Sequence, residues 1–177
     1  MSTTPLSRFR QGIHALFAYL QPFDDALPRE VLSPALWQAF TQLQRSEQQH
    51  SIRVLRRLRA TMPTVPHDLA VAALMHDSGK ARVALSVWEK SFVVLARKFN
   101  PEWVARQSAR PLTQDGWARG FIVAEHHPEW SAHILEQAGA TQRAIWLVRH
   151  HQVPYAHFVG HPDQDLLHQL QCADDLS

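Results

Sequence analysis

An all-α fold follows from three features of this 177-residue chain. Apolar residues recur at helical spacing along most of its length. No segment alternates apolar and polar residues as a half-buried strand does, and no turn signal joins two such segments into a hairpin. Helix-start signals recur instead: Ser33 before Pro34, Ser46 with Gln49 three residues on, and Thr141 before an apolar run. The length suits one packed domain. Residues 1–32 read as an N-terminal helical extension and residues 33–177 as a single helical bundle.

In chain order, an opening helix is expected from about Leu6 to Leu20, ended by "QPFDDALPRE". Ser33-Pro34 opens a helix through Leu36, Ala39, Phe40 and Leu43. The Ser46/Gln49 capping-box pattern predicts a helix from Glu47 to about Ala60, stopped by Pro63 and Pro66. Asp68 opens a short helix whose residues Leu69 to Met75 are all apolar, so it should be buried. Amphipathic segments follow from Val83 to Phe99 and from Pro101 to Arg110, and "RPLTQDG" is a loop. Further helices are expected over Trp117 to Ala124, Pro128 to Ala138 (closed by Gly139), Gln142 to His151 and Asp163 to Asp175.

Composition bounds the function. Apolar content of 45% and charged content of 19% are ordinary for a globular protein. Cys172 is the only cysteine, which fits a reducing compartment, and it is expected to be a small buried residue. No stretch has the length of a membrane span and no secretory signal opens the chain, so a soluble, cytoplasmic protein with no membrane partner is expected. A net charge of +2 does not favour a nucleic-acid partner. Histidine is the unusual entry in this composition, with twelve residues.

Helical phase selects which polar residues share the apolar face. His50 lies four residues before Val54 and eight before Leu58, so it points inward. Asp174 follows Leu170 by four residues and Leu167 by seven, whereas Asp175 falls with His168 and Gln171 on the polar side. His76 and Asp77 end the buried apolar run, and His127 stands just before Pro128. His150 and His151 end "AIWLV"; adjacent helical residues diverge by about 100°, so one of them at most should face a shared centre unless the last turn loosens. A buried polar set is costly unless something satisfies it. Imidazole and carboxylate donors suit iron, manganese, zinc or nickel, and one shared metal centre would satisfy His50, His76, Asp77, His127, His150 or His151, and Asp174 together. Taken singly, each histidine reads more readily as a core or surface residue, and His14, His67, His133, His157, His161 and His168 are left in that class.

The ordered set resembles the HD-domain superfamily of metal-dependent phosphohydrolases. "QQHSIRVL" supplies His50, "LMHDSGK" supplies His76 and Asp77, "HHPEWSAHILEQAG" supplies His127, "VRHHQ" supplies His150 and His151, and "CADDLS" supplies Asp174. "HDSGK" is close to the His-Asp-Ile-Gly-Lys form of that superfamily, and the resemblance covers about Ser46 to Asp175. It implies a first metal on His50, His76, Asp77 and Asp174. Asp77 would bridge to a second metal held by His127 and His151, with His150 a further candidate. One or two divalent cations are expected, iron or manganese first, with zinc, nickel, cobalt or magnesium as alternatives. Such a pair clamps a phosphate oxygen and acidifies water, and Lys80 would offset charge in the transition state. Asp77 and Lys80 are therefore the expected catalytic residues.

The chain departs from the cyclic-di-GMP members of that superfamily. "HHQ" is followed by "VPYAHFVGHP" without their Gly-Tyr-Pro loop, and the stretch from Lys80 to His126 is longer, with helices that could shape a different pocket. The expected substrate is a small phosphorylated molecule, a nucleotide by preference, hydrolysed at a phosphoester or phosphoanhydride. Arg53 and Arg57, on the helix that bears His50, could contact its phosphates, although a solvated face is their plainer role. Trp88 and Trp130 are candidates for stacking a nucleobase, and Glu125 for supporting the histidines. Two other readings remain: a mixed-valent di-iron oxygenase with the same type of ligands, and a metal-binding regulatory module without turnover.

Overall fold

The computed structural model describes residues 25–112 and 116–177. The expected helix from Leu6 to Leu20 lies outside the described residues. Among the described residues nine α-helices run in order: α1 Ala26–Val31, α2 Pro34–Thr41, α3 Arg45–Thr61, α4 His67–Met75, α5 Val87–Phe99, α6 Pro101–Ser108, α7 Arg119–Gln137, α8 Gln142–His150 and α9 Gln164–Asp175. Two 3-10 turns, Ser78–Arg82 and Tyr155–Phe158, follow α4 and α8. The described residues contain no strand, and none of their helices is long and apolar enough to cross a membrane. The fold is all-α, as the apolar spacing predicts.

Two of the predicted caps form. The Ser33 hydroxyl accepts the Leu36 N–H at 3.4 Å with Pro34 in the first turn, and the Thr141 hydroxyl accepts the Ala144 N–H at 3.2 Å. Thr141 also donates to Asp68 Oδ1 at 2.7 Å, which ties the start of α8 to the start of α4. The capping box expected at Ser46 does not form. Gln44 takes the cap position in extended backbone, so α3 begins at Arg45 and Ser46 lies inside its first turn. A capping box does form at Ser86: its hydroxyl accepts the Glu89 N–H, and the Glu89 carboxylate accepts the Ser86 N–H at 2.8 Å. That cap starts α5 at Val87, so Val83 and Leu85 enter the core from a linker rather than from a helix.

The two helices expected around Pro128 are one. α7 carries Pro128 in its interior. Proline removes the bond to the carbonyl four residues back, here Ala124. The uninterrupted helix places His127 and Ser131 on one face, since residues four apart stack along a helix.

α4 is the central element. All of Leu69 to Met75 are buried, packed in one cluster with Phe40, Leu55, Leu58, Leu135, Ile145, Leu147, Leu167 and Leu170 from the surrounding helices. Val31 and Leu32, in the segment assigned from sequence to the N-terminal extension, join this cluster. A second cluster of Val93, Val104, Ala118, Phe121 and Ile122 packs α5 and α6 onto the first half of α7. Cys172 is exposed rather than buried, because it lies a residue before Ala173 on α9 and turns away from the core.

Candidate metal centre

Burial of α4 forces a choice at its end. His76 and Asp77 leave the last turn with the chain still inside the protein, at 1% and 3% exposure. The next turn is made by Ser78–Arg82, and it presses closely on α7. A Cβ on Gly79 would lie 2.4 Å from the His127 carbonyl oxygen and 2.9 Å from the Ser131 nitrogen. Only glycine permits that approach, and the Gly79 N–H donates to Ser131 Oγ at 2.8 Å. The glycine of "HDSGK" is thus a packing requirement that brings Asp77 to His127.

Three histidines share one arrangement. Nδ1–H of His76 donates to the Ala73 carbonyl at 3.0 Å, that of His127 to Val123 at 3.0 Å, and that of His151 to Val148 at 2.7 Å. A carbonyl only accepts, so each Nδ1 carries a proton and each Nε2 is left to face inward. His127 Nε2 is 3.3 Å from His151 Nε2 and 3.2 Å from Asp77 Oδ1, with His151 Nε2 4.0 Å from the same oxygen. On the other side of the carboxylate, His76 Nε2 is 3.4 Å from Asp77 Oδ2 and 3.6 Å from Asp174 Oδ1. His50 Nε2 donates to Asp174 Oδ1 at 2.7 Å.

Two groups that could hold a metal ion overlap at Asp77: His50, His76 and Asp77, and Asp77, His127 and His151. The donors fit a cation on two counts. His76 Nε2 is buried with no hydrogen-bond partner, and the second group gathers His127 Nε2, His151 Nε2 and Asp77 Oδ1 within 4.0 Å of one another. Backbone carbonyls behind the ligating rings are the usual outer support of a metal-bound histidine.

The charges agree with that geometry. Burial favours the neutral carboxyl of Asp77, but Lys80, His76 and His127 outweigh it and hold Asp77 well below the ordinary range. Asp174 is also held low: burial opposes ionisation, and His76 and His50 overcome it. His76, between these carboxylates, is raised to about 9 despite its burial. His151 is pushed down to about 3 by burial and by His76 and His127, so no proton settles there near neutrality. A divalent cation would replace the His76 proton and supply the positive charge that His151 does not.

The predicted residues divide cleanly. His50, His76, Asp77, His127, His151 and Asp174 converge, and Asp175 is exposed while Asp174 is half-buried. His150 does not join them. Its ring packs on Trp146 at 5.0 Å and Phe158 at 4.7 Å, because one residue of helical rotation carries it to the outer side of α8. Arg53 and Arg57 do not face the centre either. Arg57 Nη2 donates to the Leu176 carbonyl at 2.6 Å and Arg53 Nε to that of Ser177 at 3.4 Å, so they hold the end of α9 that carries Asp174. Lys80 Nζ donates to Asp77 Oδ2 at 2.7 Å, and Glu125 pairs with Arg97 at the surface.

Glu47, Lys90, Arg97 and Gln152 were not singled out from the sequence. Glu47 binds both Lys80 and Lys90, and the Gln152 amide donates to His127 Nε2 at 3.3 Å. Glu47 falls one turn before Ser51 on the inner side of α3, which was the only available signal for it. Lys80, Lys90 and Arg97 line a cavity of about 230 Å³ that reaches His127.

Comparisons with known proteins return nothing: no family model, no curated protein and no solved structure matches the chain.

Proposed function

We propose that this chain is a metal-dependent phosphohydrolase of the HD type. One observation carries the reading: a single buried carboxylate, Asp77, is shared by two histidine groups at the edge of a cavity lined by cations. His50, His76, Asp77 and Asp174 would hold one cation, and Asp77, His127 and His151 a second. Imidazole and carboxylate donors admit iron, manganese, cobalt, nickel or zinc. Bound there, such cations supply Lewis-acid polarisation of a phosphoryl oxygen and acidify water at neutral pH.

The chain's own groups do the rest. Lys80, pinned by Asp77 and Glu47, keeps N–H donors for a phosphate oxygen. Burial, opposed and outweighed by Asp77 and Glu47, leaves Lys80 raised above its ordinary value, so it remains a cation at any working pH. Lys90 and Arg97 add positive charge on the same cavity, and the Gln152 amide steadies His127. Hydrolysis joins water oxygen to phosphorus and breaks the ester P–O bond, and the leaving oxygen departs with a proton from that water.

The test is phosphate release from a panel of phosphomonoesters, phosphodiesters and nucleotides by anaerobically purified protein. The reading requires turnover that disappears in Asp77→Ala and falls in Lys80→Ala with metal content retained. Dioxygen uptake with a polyol or a phosphonate, without phosphate release, would replace it by the di-iron oxygenase. Bound metal with neither reaction would replace it by a regulatory metal module.

A further inference from the structure

The cavity beside the proposed centre also has an apolar lining that phosphate chemistry alone does not use. Besides Lys80, Lys90 and Arg97 it is lined by Val83, Leu85, Val93, Val94, Val123 and Ala124, with Val93 and Val94 between Lys90 and Arg97 on one face of α5. Every one of these apolar side chains is aliphatic, and among the described residues the only ring on the cavity is the His127 imidazole; no Phe, Tyr or Trp lines it. Neither of the two tryptophans expected to stack a base lines the cavity. Trp88 is 84% exposed, and Trp130 lies against His126 with Arg82 over its ring. Arg53 and Arg57, the other expected nucleotide contacts, are held by carbonyls at the end of α9. A nucleobase therefore finds no phenyl, phenol or indole face to stack on, and an alkyl chain finds aliphatic side chains. The volume of about 230 Å³ lies below the roughly 300–1,000 Å³ usual for larger ligands, which favours a slender occupant.

We infer that the substrate is a phosphomonoester of an aliphatic alcohol, with its phosphate at the Lys80, Lys90 and Arg97 cations and its chain against the valine and leucine side chains of the same cavity. This rests on the phosphohydrolase reading. Glu47 is what makes the two lysines one site, since it holds the Lys80 and Lys90 ammonium groups on the same carboxylate. The reaction gives inorganic phosphate and the alcohol: water oxygen bonds to phosphorus, the P–O bond to the alkyl oxygen breaks, and that oxygen takes up the proton water gives up. Such a substrate has two sources, a free alkyl phosphate or a phosphorylated lipid in a bilayer. The outer face of α5 bears on the choice, because Trp88, Phe92, Leu95 and Phe99 are all exposed along one stripe of the helix.

Calorimetry of the purified protein with n-alkylphosphonates from methyl to octyl, and with adenosine monophosphate, tests the inference by binding alone. Affinity should rise about fourfold for each added methylene until the apolar lining is covered. Val94→Asn, at a half-exposed lining position, should cut that gain to less than about twofold, because a methylene facing an amide loses most of its transfer gain. Affinity independent of chain length, or adenosine monophosphate binding more tightly than hexylphosphonate, overturns it. Phosphate release from p-nitrophenyl phosphate, measured alongside with Asp77→Ala as control, separates the two claims. Turnover without chain-length dependence sinks the alkyl substrate and keeps the hydrolase, and absence of both sinks both. Co-sedimentation with phosphatidate vesicles that is lost in Trp88→Ala assigns the lipid source, and binding of octylphosphonate without co-sedimentation assigns the free one.

Discussion

Asp77 has one oxygen toward His127 and His151 and the other toward His76 and Lys80. Asp77→Asn keeps the shape and halves the donor character, so metal affinity should fall by more than the roughly 10–100-fold typical of losing an outer partner. Equilibrium dialysis against manganese reads that directly. His150 and His151 provide a matched pair of tests. His151→Ala should remove one of two bound cations. His150→Ala should leave the metal count intact and cost about 1 kcal/mol, the loss of ring contacts with Trp146 and Phe158. Equal metal loss in both variants would contradict the assignment. At this scale the site was largely legible: phase with Val54 and Leu58 selected His50, and phase with Leu167 and Leu170 selected Asp174. The choice between His150 and His151 was not legible, because it depends on how the last turn of α8 ends. Glu47, Lys90 and Gln152 were not legible either, since only tertiary contact gives them a role.

The 3-10 turn after α4 and the start of α5 set the site's position. Gly79→Ala drives a Cβ into the α7 backbone, which cannot yield as a flexible side-chain end would. We expect a loss of about 3 kcal/mol, at the upper end of overpacking costs, with weakened metal binding as Asp77 is displaced from His127. Urea unfolding of the two proteins measures it, and an unchanged midpoint would contradict the close packing. At the other end of the linker, Glu89 is held down at about 2 by hydrogen bonds from Arg119 and the Ser86 backbone. A depressed carboxyl adds stability above its ordinary value of 4.5 and loses it as pH falls toward 2. The difference in Tm between the protein and Glu89→Gln should therefore be constant from neutrality to about pH 4.5 and shrink below it. The Ser86/Glu89 pair obeys the same capping rule as Ser46/Gln49. Sequence reading named only Ser46/Gln49, and there the bend after α2 puts Gln44 in the cap position of α3, which sequence spacing does not record; the Ser86/Glu89 box was missed. Pro128 misled in the opposite direction: it reads as a helix start, yet α7 runs through it from Arg119 to Gln137.

At the scale of the molecule, two of the three hydrophobic clusters among the described residues divide the labour, and the third, Val83, Leu85 and Val123, lies on the cavity. The large one, around α4, sets the histidines and carboxylates in place, and the smaller one hangs α5 and α6 over the cavity through Phe121. Phe121→Ala should cost about 3–5 kcal/mol and weaken binding of alkylphosphonates, while the metal count stays at the wild-type value. Loss of metal in that variant would show that the two clusters are not separable in this way. The all-α architecture was legible from apolar spacing alone, whereas the division was not, because α5 and α6 carry ordinary amphipathic patterns that do not say which helix they cover. The central claim is that the buried histidines and carboxylates form a metal centre bridged by Asp77. Metal analysis of anaerobically purified wild-type protein and Asp77→Ala tests it most directly. The account predicts two divalent cations per chain in the wild type and none in the variant; a wild-type protein that binds no metal at any pH or with any divalent cation would contradict it.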